Sequence, residues 1–107
     1  MMDFENCLRE VIKLLNKYSL HPKITYLEKN KETRHAHINL LDGKYRLEIY
    51  DYEAGYHVYF FEKTSVKFGD KTVQYYYIRN TMVIPKSKTL LIIKLEDMII
   101  NSILGTL

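Results

Sequence analysis

The chain has 107 residues, 47% of them apolar and 27% charged, with a formal net charge of +3. That supports one core and a single domain, 1–107, and excludes a disordered composition. The mild basicity is little argument for an anionic partner, and one cysteine, Cys7, excludes an intramolecular disulfide and a cysteine-based zinc site.

The opening stretch "MMDFENCLREV" has acids and no basic segment before an apolar run, so no signal peptide is expected. The longest uninterrupted apolar run, Leu90 to Ile93, has four residues and is too short for a membrane span. A cytoplasmic protein is expected. Tyr, Ile and Lys are abundant, Gln74 is the only glutamine and Trp is absent, a bias that suggests a thermophile with an AT-rich genome.

Residues 3–18 predict an amphipathic helix. Phe4, Cys7, Leu8, Val11, Ile12, Leu15 and Tyr18 recur at spacings of three and four, and Asp3 is placed to cap the N-terminus. His21-Pro22 ends the segment, because a residue before proline avoids the helical region. A strand is expected over 23–29, followed by a polar turn at Asn30-Lys31-Glu32.

Residues 34–52, "RHAHINLLDGKYRLEIYDY", alternate, turn at Asp42-Gly43 and alternate again. Asp-Gly is a two-residue turn that matches the twist of the sheet. Counting outward pairs Leu40 with Tyr45, Asn39 with Arg46, Ile38 with Leu47, His37 with Glu48, Ala36 with Ile49 and His35 with Tyr50. A second long hairpin is expected from "YHVYFFEKTSVKF" and "KTVQYYYIRNTMVI" around Gly69-Asp70, with Pro85 closing the meander. The C-terminal segment reads as a strand at 89–93 and then a helix over 95–104 stopped by Gly105. Its face would carry Leu95, Met98, Ile99, Ser102 and Ile103. The predicted fold is α+β: an antiparallel meander of five to six strands with an N-terminal and a C-terminal helix packed on it. Strands this long leave an apolar edge that needs covering, so a homodimer or an obligate heteromer is expected.

The first hairpin has a core face of Ala36, Ile38, Leu40, Tyr45, Leu47 and Ile49. Its other face carries His35, His37, Asn39, Arg46, Glu48 and Tyr50. This second face is either a solvated sheet surface or a working one. If it works, His37 and Glu48 are direct neighbours with Cβ atoms about 4.5–5.5 Å apart. A carboxylate there would raise the histidine pKa and orient the ring for general acid–base work, with His35 beside it. Arg46 offers a fork suited to phosphate. His35 and His37 with Glu48 or His57 form an alternative metal-ligand set; the favoured reading has no metal and no cofactor. In "VQYYYIRN", Tyr75, Tyr77 and Arg79 point one way and Tyr76 and Ile78 the other. Aromatics with arginine on a sheet can stack on single-stranded bases, or can be half-buried core. "PKSKT" adds Lys86 and Lys88 as a phosphate contact or a plain polar loop.

Arg34, Leu41-Asp42-Gly43 and Glu48, then "QYYYIR" over Gln74–Arg79, Asn80 and Pro85, and "LEDMIINSI" over Leu95–Ile103 resemble the TumE-like toxin family of prokaryotic toxin–antitoxin modules. Where that family has Pro-His-His, this chain has Pro85 followed by Lys86-Ser87-Lys88. That moves the histidine role to His35 and His37 or removes it. The resemblance implies a toxin-like protein acting on RNA or the translation machinery, with an antitoxin protein as partner. If it cuts RNA without a metal, His37 oriented by Glu48 would be the base, with His35 alongside. Arg34, Arg46, Arg79 and Lys86 would hold phosphate, and Tyr50 or Tyr77 would stack a base. The alternative is a non-enzymatic protein-interaction module, from a mobile element or a virus of a thermophilic archaeon. Convergence of His37, Glu48 and an arginine in a concave pocket favours catalysis; a flat, spread array favours the module.

Overall fold

The computed structural model describes residues 2–29, 32 and 34–106. Of the turn expected at 30–32, Asn30 and Lys31 lie outside the described residues.

Helix α1 spans Phe4–Lys17. Asp3 caps it, its carboxylate accepting from the Asn6 N–H at 2.8 Å, which satisfies one of the open donors of the first turn. Phe4, Cys7, Leu8, Val11, Leu14 and Leu15 are buried along one stripe. The chain leaves the helix at Ser19, whose φ is +56. The Leu20 N–H then bonds to the Leu15 carbonyl at 3.1 Å and the Ser19 N–H to that of Asn16 at 3.0 Å. This closing motif usually has glycine where Ser19 stands. The helix therefore ends before His21-Pro22 is reached.

Five strands follow in a plain meander, ordered β1-β2-β3-β4-β5 and antiparallel throughout. They are β1 (Lys23–Glu28), β2 (His35–Leu40), β3 (Tyr45–Tyr52), β4 (Gly55–Phe68) and β5 (Lys71–Ile84). The β2–β3 register is the one the Asp-Gly turn dictates, from Leu40 opposite Tyr45 to His35 opposite Tyr50. Asp42 and Gly43 both have positive φ, and the Lys44 N–H closes the turn on the Leu41 carbonyl at 3.1 Å. Gly55 is required for a different reason: a Cβ there would lie 2.7 Å from the Ile84 carbonyl oxygen.

The C-terminal segment departs from expectation. No strand forms at 89–93; helix α2 runs from Lys88 to Ser102. Ser87 caps it, its hydroxyl accepting from the Leu90 N–H at 3.4 Å, while the Leu91 N–H bonds to the Ser87 carbonyl at 2.9 Å. The run of four apolar residues divides once it is helical: Leu91 is buried and joins Leu95, Met98 and Ile99, whereas Leu90 and Ile93 face water. Gly105 does not stop the helix; it sits in a short 3-10 turn, Leu104–Thr106, after the cap at Ile103.

Both helices lie on one side of the sheet. Ala36, Ile38, Leu40, Leu47 and Ile49 are fully buried and form one core with the apolar stripes of α1 and α2. The result is an α+β fold in which no layer among the described residues covers the other sheet face. No helix among the described residues is long and apolar enough to cross a membrane.

Candidate functional site: the open sheet face

The register sorts the residues singled out in the sequence. His35, His37, Arg46, Glu48 and Tyr50 stand on the open face. They continue across β4 through Tyr59, opposite Glu48, and Phe61, opposite Arg46. Arg34, Lys86, Tyr77 and Arg79 do not join them. Tyr77 pairs with Glu62, which pairs with Tyr45, a core residue, so Tyr77 lies on the helix side. Arg79 is ion-paired to Glu62 on that side. Arg34 and Lys86 converge on the buried carboxylate of Asp51, Arg34 Nε at 3.2 Å and Lys86 Nζ at 2.6 Å. The candidate nucleic-acid contacts are thus divided between the two faces of the sheet.

Glu48 is the centre of the open face. It is only 6% exposed. Arg46 donates to its Oε2 through both Nε, at 2.9 Å, and Nη2. Tyr50 donates its hydroxyl to Oε1 at 2.7 Å. His37 Nε2 lies 3.6 Å from the same oxygen. Burial would raise the Glu48 pKa, but the hydrogen bonds from Tyr50 and Arg46, with the charges of His37 and Arg46, hold it below the ordinary 4.5. The Tyr50 hydroxyl is correspondingly pushed up to about 12 by burial and by its bond to Glu48.

His37 differs from the sequence expectation. Its pKa is lowered from 6.5, not raised: burial disfavours the charged ring and outweighs the attraction of Glu48, and Arg46 and His35 repel the proton further. The guanidinium of Arg46 is not a free phosphate fork either. Besides Glu48, it rests on the rings of Phe61 and Tyr76, 5.3 and 5.1 Å from their centroids. Tyr76 is fixed in turn, donating to the Gly43 carbonyl at 2.6 Å.

Around this centre the face is aromatic. The rings of His35 and Tyr50 are nearly parallel at 4.9 Å, and Tyr50 and Tyr52 likewise at 6.1 Å. Tyr26 contacts both His35 and His37, Tyr59 meets Tyr50 edge-on, and His57 meets Tyr52 edge-on. The surface is shallow: its depression, about 340 Å³, is lined by Glu48, Tyr50, Tyr52, Tyr59, Phe61 and Ile78. The alternative metal-ligand set does not form, since among the described residues no three His, Cys, Asp or Glu side chains converge on a metal position.

Two features escaped the sequence reading. Tyr52 continues the alternation of Tyr50 along β3, whereas Tyr26 and Tyr59 needed the registers of β1 and β4 to be placed on this face. Asp51 was legible: it continues the core-face alternation of Leu47 and Ile49, and an acid on that face requires cationic partners. Cys7 lies near it, its thiol pushed up to about 12 by burial and by the Asp51 charge. A thiol held in that way is an inert one.

Comparisons with protein-family models, with curated proteins and with solved structures found no match to this chain.

Proposed function

We propose that this chain is a non-enzymatic protein-binding module whose working surface is the open face of the sheet. Within the toxin–antitoxin reading, the protein docked there would be the antitoxin. The observation that carries the proposal is that each of the four cations singled out for phosphate already holds a carboxylate. Arg46 holds Glu48, Arg79 holds Glu62, and Arg34 and Lys86 share Asp51. The rest of the face is a flat, partly exposed array of tyrosines, histidines and Phe61 around a neutralised charge, with Lys63 set over the Tyr76 ring at its β4 side. Depleted charge with enriched aromatics is the composition of protein-interface cores, whereas nucleic-acid surfaces rely on unpaired cations.

One observation favours a second reading, metal-independent RNA cleavage. His37 is neutral near pH 7 and lies beside a carboxylate and an arginine. It has the protonation state of a base that could remove a 2′-hydroxyl proton, with Arg46 meeting the phosphate after leaving Glu48.

The two readings separate in one assay of purified protein against single-stranded and structured RNA. The module reading predicts no cleavage, and only weak binding that vanishes with added salt. Cleavage that disappears in His37→Ala would overturn it in favour of the ribonuclease.

A further inference from the structure

The two edges of the sheet are built differently. β1 is six residues long, has a bulge between Ile24 and Tyr26, and is flanked by Pro22 and Lys29. These are the devices that keep an edge from pairing. β5 is the other edge. It is 14 residues long, contains no proline, and shows one irregularity, opposite Phe60 and Phe61. Val73, Tyr75, Tyr77, Ile78 and Val83 are all exposed along it, at 38% to 54%.

The edge also has two halves of similar length. β3 stops at Tyr45, opposite Glu62, and Glu62 faces Tyr77. Lys71 to Tyr76 therefore overhang the three-stranded part of the sheet, while Tyr77 to Ile84 lie alongside it. Beneath the second half, on the helix side, an open groove of about 240 Å³ runs between β5 and α2, lined by Asn80, Met82, Lys94, Asp97, Met98 and Asn101.

We propose that β5 pairs antiparallel with β5 of a second copy, about a two-fold axis normal to the sheet near the middle of the strand. Two five-stranded sheets then continue into one of ten strands. Each overhang lies beside the other copy's inner half, and its helix-side residues Val73 and Tyr75 stand over the other copy's groove. The antiparallel order keeps the two Lys71 side chains at opposite ends. Arg79 is already paired with Glu62, so no like charges are forced together. A strand of this length is about 48 Å long and a sheet about 10 Å thick, which gives a contact on the order of 1,000 Å² over both partners, where stable interfaces begin. A self-complementary patch of this kind closes as a dimer and leaves no β5 edge open. The β5 edge adjoins the open face at Ile78, but the pairing runs through the strand backbone and the helix-side residues and does not depend on what that face binds.

Sedimentation of the full chain tests the oligomer, and distances between spin labels test its geometry. The expected result is a dimer that the double variant Val73→Lys, Tyr75→Lys converts to a folded monomer; both positions are exposed, so the core is untouched. A label on Tyr77→Cys should lie near its symmetry mate, and one on Lys71→Cys about 40 Å from its own. Cys7 is buried and does not compete for label. A chain that stays monomeric at the highest soluble concentration, or a dimer in which the 71 labels are closer than the 77 labels, would overturn the proposal.

Discussion

Arg46 and Glu48, two positions apart on β3, hold each other on the open face, the guanidinium donating through Nε at 2.9 Å and again through Nη2 to one carboxylate oxygen. With Glu48 only 6% exposed, this is not the solvent-screened pair that a polar sheet face suggests. Glu48→Ala should cost about 2–4 kcal/mol, because it leaves a half-buried guanidinium without its anion and removes the acceptor of Tyr50. Urea unfolding measures it; a loss below about 0.5 kcal/mol would mean the pair behaves as an exposed one.

The same pair sets a second expectation. Glu48→Gln keeps the shape and releases the Arg46 charge, so affinity for a polyanion such as heparin or single-stranded RNA should rise above that of the parent. Elution from a heparin column at increasing salt reads this directly. In the ribonuclease reading the same variant also loses RNA cleavage, whereas the module reading gives the parent no cleavage to lose, so a cleavage assay run beside the column separates the two accounts.

Acidification acts on this cluster with a definite sign. The folded chain holds His37 below its ordinary 6.5, so below 6.5 the unfolded chain binds the proton first. Stability is therefore full above 6.5 and falls as pH drops toward the folded value. Glu48, held below its ordinary 4.5, extends the loss in the same direction below 4.5. Denaturant midpoints followed across pH should show both limbs, and His37→Gln should remove the upper one alone. An unchanged upper limb would show that His37 is not held neutral by folding.

The opposite face of β3 should respond only through packing. Leu47 is fully buried, and Leu47→Ala should cost about 2–5 kcal/mol through the cavity left behind. Gly55→Ala should also destabilise, by more than about 1 kcal/mol, because the new methyl would meet the Ile84 carbonyl at 2.7 Å. Thermal unfolding of both variants checks this, with the open face intact in each.

The β2–β3 hairpin was legible residue by residue because two local signals agree there, strict alternation and an Asp-Gly turn. α2 was half legible. Leu90 to Ile93 is apolar at every position, which erases the helical period, and the decisive signal was one capping hydroxyl at Ser87. The open face could be listed from alternation, but the state of its charges could not. Whether Arg34 and Lys86 are free depends on Asp51, which is 17 residues from one and 35 from the other in sequence and reaches both only in the folded chain. Likewise the His37 pKa turns on burial, a tertiary quantity that opposes the neighbouring carboxylate.

The claim that the open face binds protein is tested most directly by a photoreactive benzoyl-phenylalanine placed at Tyr52, 45% exposed on that face, and separately at Ile93, 58% exposed on the outer side of α2. Both variants would be irradiated in cells that naturally carry the protein, and the adducts identified by mass. The account predicts one defined protein adduct from position 52 and none from position 93. Adducts to RNA at position 52, the same adducts from both positions, or no adduct at 52 would contradict it.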